Sequence, residues 1–126
     1  MIQGYVDKYL QARIPIAVVG KNGNVSTLQA VVDTGFNGDL CISIYQRKKI
    51  ELTFSYTQKF ELGDGSTPEQ DVFVGQMIFD KQKLSVHVLV SESEDTLIGA
   101  ALLVDKRLDI DYTNKTVRIK NSRKKK

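Results

Sequence analysis

Asp33, Thr34 and Gly35 follow directly on the apolar stretch 28–32. A carboxylate at the end of a buried strand, followed by a small residue and a glycine, is a place suited to an acid or a base. Hydrolysis of an amide needs both: a base to activate water and an acid to protonate the carbonyl oxygen. Two adjacent carboxylates supply the two functions because they cannot both ionise comfortably, and so they share a proton. The titration then belongs to the pair rather than to either residue. Asp33 cannot do this alone, and the chain holds no second Asp-Thr-Gly or Asp-Ser-Gly.

Other chemistry-bearing residues are sparse. His87 is the only histidine and lies in a strand-like segment without ligand spacing, which argues against a metal site and against a Ser-His-Asp arrangement. Cys41, the only cysteine, sits in an apolar segment and reads as a buried core thiol. It has no intrachain disulfide partner, so nothing demands an oxidising compartment. No phosphate-cradling glycine motif is present. No apolar run approaches the roughly 20 residues that a membrane helix needs. The first residues, Met1-Ile2-Gln3-Gly4-Tyr5, lack the charged-then-apolar order of a secretory signal. The expected location is the cytoplasm, with no membrane partner.

The net charge of +3 hides an asymmetry. Lys120, Arg123, Lys124, Lys125 and Lys126 put five positive charges into the last seven residues, and the remaining 13 basic side chains face 15 acidic ones, a net −2. No aromatics interleave with the basic tail, so nucleic acid is not an expected partner. Residues 121–126 are expected to be a basic, disordered tail and residues 1–120 a single domain.

The elements that must position Asp33 read mostly as strands. Residues 14–19 alternate, the Asn22-Gly23 pair marks a hairpin turn, and 25–32 returns to deliver Asp33. Residues 40–44 are short and apolar, and 45–50 suit one or two helical turns. Residues 53–62 are rich in aromatics and threonine. Gly63-Asp64-Gly65-Ser66 is a turn whose glycines tolerate positive φ. Segments 72–79 and 84–90 are strands, with Leu84, Val86, Val88 and Val90 sharing one face. A short helix over 100–104 follows Gly99, and Leu108, Ile110 and Tyr112 precede a turn at 113–115 and a last strand with Val117 and Ile119. Seven or so short strands with one or two short helices imply an all-β, mostly antiparallel barrel.

Four segments in order carry a resemblance. Val31-Val32-Asp33-Thr34-Gly35-Phe36-Asn37-Gly38 resembles the catalytic loop of retropepsin-like aspartic proteases of the small prokaryotic type, which carry a single Asp-Thr-Gly. Leu62-Gly63-Asp64-Gly65-Ser66 resembles their flap hairpin. Leu97-Ile98-Gly99-Ala100-Ala101-Leu102-Leu103 resembles the segment that precedes their helix. Leu108-Asp109-Ile110-Asp111-Tyr112, with Thr116-Val117, resembles their closing hairpin. The resemblance covers roughly residues 13–120.

It implies a closed acid-protease-type barrel, one lobe per chain, that dimerises so that two copies of Asp33 meet at a two-fold axis. It further implies that Thr34 crosses the axis to hydrogen-bond the opposite loop and that Gly35 lets the backbone approach the carboxylates. Phe36, Asn37 and Gly38, with Gly63, Asp64 and Gly65 of the flap, would contact an extended peptide or protein substrate. Gly99 would let the Asp33 loop pack close. No metal or organic cofactor is implied. Phe36 departs from the Ala or Ser of viral and pepsin-like relatives, and Asn37 stands where viral enzymes carry an aspartate. Two other readings stay open: a non-catalytic dimeric peptide-binding module of the same fold, and a β-domain adaptor acting through its basic tail.

Overall fold

The computed structural model describes residues 1–59 and 61–122. Its strands are β1 (Ile2–Val6), β2 (Ala12–Val19), β3 (Val25–Val32), β4 (Leu40–Ser43), β5 (Thr53–Lys59), β6 (Glu69–Phe79), β7 (Gln82–Ser91), β8 (Leu97–Ile98), β9 (Lys106–Asp111) and β10 (Thr116–Asn121). One short helix, α1 (Ile44–Arg47), and a 3-10 turn, Ala100–Leu103, interrupt them. No helix among the described residues is long and apolar enough to cross a membrane.

Alternation sets the inner face. In β2, Ala12, Ile14, Ile16 and Val18 are all buried, while Pro15 is exposed. Pro15 falls between the residues of β2 that pair with β1 (Ala12 and Arg13) and those that pair with β6 (Ala17, Val18 and Val19). Its missing N–H is therefore tolerated, since a proline in mid-sheet would break a ladder bond. In β7, Val86 and Val88 are buried and Leu84 and Val90 half-buried, as the shared face requires.

The strands form one sheet in the order β5-β6-β7-β4-β8-β3-β2-β1-β10-β9. An additional β2–β6 pairing closes β6, β7, β4, β8, β3 and β2 into a ring around the core. The core holds Ile14, Val18, Leu40, Ile42, Met77, Val88 and Ile98. The all-β, single-lobe expectation holds. Among the described residues ten strands appear instead of about seven. β1 exists by pairing with both β10 and β2, and the two-residue β8 by lying between β3 and β4. β8, at two residues, is too short to announce itself by periodicity.

Local chemistry explains the connections. Ser43 caps α1: its hydroxyl accepts the Gln46 N–H, and the Gln46 side chain accepts the Ser43 N–H. The helix starts one residue earlier and ends sooner than 45–50. Gln46 also accepts the hydroxyl of buried Thr96 at 2.6 Å, which ties α1 to the approach to β8. Arg13 donates to Asp7 (2.9 Å), to Asp95 (3.0 Å) and to the Gln29 carbonyl. It thereby joins the β1–β2 turn to the same approach. β10 runs to Asn121, one residue past the expected domain end, and the Ser122 N–H donates to the Asp105 carbonyl. The expected tail otherwise lies outside the described residues from 123 onward. Cys41 is buried, and burial pushes its thiol pKa up.

Candidate active site

β3 ends at Val32, and the chain then makes a tight excursion around β8. The Asp33 N–H donates to the Ile98 carbonyl at 2.9 Å, continuing the parallel β3–β8 pairing by one bond. The Asp33 carbonyl accepts the Phe36 N–H (3.1 Å), closing a turn over residues 33–36. Inside that turn, one Asp33 carboxylate oxygen, Oδ1, accepts the Gly35 N–H at 3.0 Å. A short polar side chain that bonds the backbone two residues on is the usual lock of such a turn. The carboxylate is thus held by its own loop, and Asp33 is half-buried while Thr34 and Gly35 are exposed.

The chain returns along the other side of β8. The Ala100 N–H donates to the Phe36 carbonyl (2.7 Å), the Gly99 N–H to Asp39 (2.9 Å) and the Ala101 N–H to Gly38 (3.3 Å). β4 then runs antiparallel to β8, with Leu40 opposite Ile98. The two limbs of the loop therefore grip β8 and Gly99 from both sides. A Cβ at Gly99 would lie 2.6 Å from the Phe36 carbonyl oxygen and closer still to that of Gly38. Close backbone approach demands glycine here. The ring of Phe36 lies over Gly38 and Gly99, within 2.8 Å of where a Gly99 Cβ would stand. Leu102 and Leu103 pack, half-buried, against the core.

The remaining predicted residues divide among three places. Phe36, Asn37 and Gly38 line a cleft of about 270 Å³ with Tyr56 and Gln58 of β5, Val72 of β6, and His87 and Leu89 of β7. Asp33 and Thr34 line a second depression, with Leu10, Leu108, Ile110 and Tyr112. Gly63, Asp64 and Gly65 line neither. They form the exposed hairpin tip between β5 and β6, where the Leu62 N–H meets the Ser66 carbonyl and Gly65 takes a φ of +84°. The Asp64 carboxylate accepts the Ser66 hydroxyl (2.6 Å) and N–H (2.9 Å), and these bonds hold its pKa below the usual carboxylate range. In the structure, then, Asp64 makes bonds that shape the turn.

Three residues at the first cleft escaped sequence reasoning. Asp39 accepts the His87 N–H at 2.9 Å, and its carboxylate lies 3.8 Å from His87 Nδ1. Tyr56 stacks edge-on against the His87 ring, with centroids 6.0 Å apart. Asp39 precedes β4 by one residue and His87 stands one residue before Val88, the partner of Leu40 in the parallel β4–β7 ladder. No local signal announces that pairing.

A single exposed Asp-Thr-Gly loop wrapped around a short parallel strand, in a one-lobe all-β ring, defines the retropepsin-like fold. No protein-family model matches the chain by sequence, and no curated protein does. Solved structures do. A retropepsin-like aspartic protease from Rickettsia conorii superposes with a TM-score of 0.68 at 17% identity, covering 95% of this chain and 89% of that one. The EIAV protease, complexed with an inhibitor, gives 0.55 at 14% identity, covering 75% and 86%. The retroviral protease-like domain of Ddi1 from Leishmania major gives 0.53 at 14% identity, covering 88% and 89%.

Proposed function

We propose that the chain is an aspartic endopeptidase that works as a homodimer, with Asp33 of each protomer at a shared two-fold axis. The observation that carries this reading is the Asp33-Thr34-Gly35 loop, clamped on both sides of β8 yet exposed at its tip, in a fold it shares with solved proteases. One Asp33 carboxylate takes a proton from water, and the other, protonated, donates to the carbonyl oxygen of the substrate. The Gly35 N–H bond to Oδ1 fixes the orientation in which each carboxylate meets its partner. Thr34 is exposed in one protomer and braces the opposite loop in two.

The substrate lies extended and adds backbone hydrogen bonds like an extra strand. Phe36 and Asn37 contact it from the cleft beside β5, where the Asn37 amide both donates and accepts. The hairpin tip at Gly63, Asp64 and Gly65 covers it and excludes water. Neither a metal nor an organic cofactor enters the reaction.

Asp33→Asn tests the reading on a fluorogenic peptide library. The amide keeps the shape but cannot share the proton, so turnover is expected to vanish while the unfolding temperature and association state persist. Wild-type turnover in Asp33→Asn would end the dyad assignment. An inactive parent that still binds peptides would favour the non-catalytic module.

A further inference from the structure

Partly buried carboxylates in this protein come with cations. Asp7 and Asp95 share Arg13, Asp80 meets the N-terminal ammonium and Lys106, and Asp109 meets Arg107 and Lys120. Among the described residues two partly buried carboxylates, Asp33 and Asp39, have no lysine, arginine or terminal ammonium within ion-pair distance. The shared proton of the dyad accounts for Asp33. Asp39 needs a different reason, because a charge withdrawn from water is costly unless something compensates it.

The fold does not supply that reason. Asp39 Oδ2 accepts the His87 N–H at 2.9 Å, which ties the approach to β4 onto β7. An asparagine would accept that bond equally well, so the contact needs an oxygen and not a charge. His87 Nδ1, at 3.8 Å, is too distant for a hydrogen bond. Asp39 instead lines the cleft of about 270 Å³ beside β5, and no lysine or arginine lines it with Asp39. Buried Val72 and half-buried Leu89 make part of the lining apolar. The Asn37 and Gln58 amides add acceptors, and Tyr56, 44% exposed, adds an aromatic ring. A cleft of this size suits one side chain, since pockets for whole small-molecule ligands run upward from about 300 Å³.

Resting on the peptidase reading, we infer that this cleft selects a lysine or arginine side chain of the substrate, and that Asp39 sets the preference. The methylene stem lies on Val72 and Leu89, and the cationic head reaches Asp39 Oδ1. Long basic side chains bury their stems and keep their heads in polar surroundings in this way. The amide oxygens of Asn37 and Gln58 accept the remaining N–H groups, and the Tyr56 ring attracts the positive charge. Asp39 stands on the returning limb of the loop that Asp33 begins, so a peptide lying extended over that loop passes the cleft. The same charge repels an acidic side chain.

The parent is profiled on a peptide library. Matched peptides with Lys, Met or Glu at the selected position are then compared by kcat/KM, Met being a neutral chain of similar length. Lys is expected to exceed Met by about tenfold or more, the worth of one charge-assisted hydrogen bond, and Glu to fall below Met. Asp39→Asn keeps an acceptor for the His87 N–H and removes the charge, so the Lys-to-Met ratio should collapse towards one. Gln58→Glu, on the edge strand β5, adds a charge and should raise the ratio. An active parent with no preference for Lys or Arg at any position, or a folded Asp39→Asn that keeps the parent's ratio, overturns this inference and leaves the dyad standing. If Asp39→Asn does not fold, Gln58→Glu decides, and an unchanged ratio overturns the inference. If the parent cleaves nothing, the dyad reading fails and the three peptides are read by fluorescence anisotropy. Tighter binding of the Lys peptide then supports the cleft assignment, and equal binding overturns it too.

Discussion

Replacing Gly99 by alanine perturbs the loop without touching Asp33. Gly99 has φ −104° and ψ 177°, a conformation open to any residue, so backbone preference contributes nothing. The methyl group would instead press on the carbonyl oxygens of Phe36, at 2.6 Å, and of Gly38, nearer still. Both are backbone atoms, so the two limbs of the Asp33 loop must separate. Overpacking of this kind costs about 1–3 kcal/mol. The Ala100–Phe36 and Gly99–Asp39 hydrogen bonds lengthen with it, at about 1 kcal/mol each. Alanine restricts the unfolded chain and returns about 0.4–1 kcal/mol. The net loss is roughly 2–4 kcal/mol, a fall in Tm on the order of 10 °C for a domain of this size.

Gly63→Ala is the matched control. A Cβ there meets nothing within 4 Å, and stability should change by less than about 0.5 kcal/mol. Thermal unfolding by circular dichroism reads both variants. Cleavage by Gly99→Ala, measured below its Tm, should drop about 100-fold, since a displacement near 1 Å at a reacting group has that effect. A Gly99→Ala protein that melts with the parent would refute the argument that the loop is held by close approach at this glycine.

Thr34→Ala should weaken self-association. Two hydroxyls are lost per dimer, about 1–2 kcal/mol together, so Kd should rise roughly five- to thirtyfold by sedimentation equilibrium; an unchanged Kd would show that Thr34 does not reach the partner. Acid should destabilise the fold below about pH 4. Asp7 is held below its ordinary value of 3.8 by the Gln11 N–H and then by Arg13, Asp80 by the N-terminal ammonium, and Asp111 by the N–H and side chain of Asn114. A depressed folded pKa contributes stability that is whole above the unfolded value and is lost as pH falls through the folded one. Tm should therefore be level above pH 4 and decline below it, and Asp7→Asn should flatten part of that decline. Deleting residues 123–126, which carry four positive charges and no apolar group, should leave cleavage of small neutral peptides unchanged, and a loss of activity would give the tail a part in the site.

Much of the architecture lies in short-range patterns. Two-residue alternation marked β2, β7, β9 and β10, because burial on one face of a strand writes itself directly into side-chain polarity. Asn22-Gly23 and Gly63-Asp64-Gly65 located their turns, because few residues accept positive φ. Asp33-Thr34-Gly35 and Gly99 stood out as residue types, and the retropepsin-like fold followed from their order. Tertiary structure alone decided the rest. β8 is two residues long and exists through pairing on both edges, so no periodicity could reveal it. Asp39 meets His87 only because β4 and β7 run parallel, a pairing between segments more than forty residues apart. The depression that Asp33 shares with Leu10 and Tyr112 joins three turns and strands from the two ends and the middle of the chain. Local preferences are encoded residue by residue. Which surfaces meet depends on how the whole sheet closes, and that is a property of the folded chain.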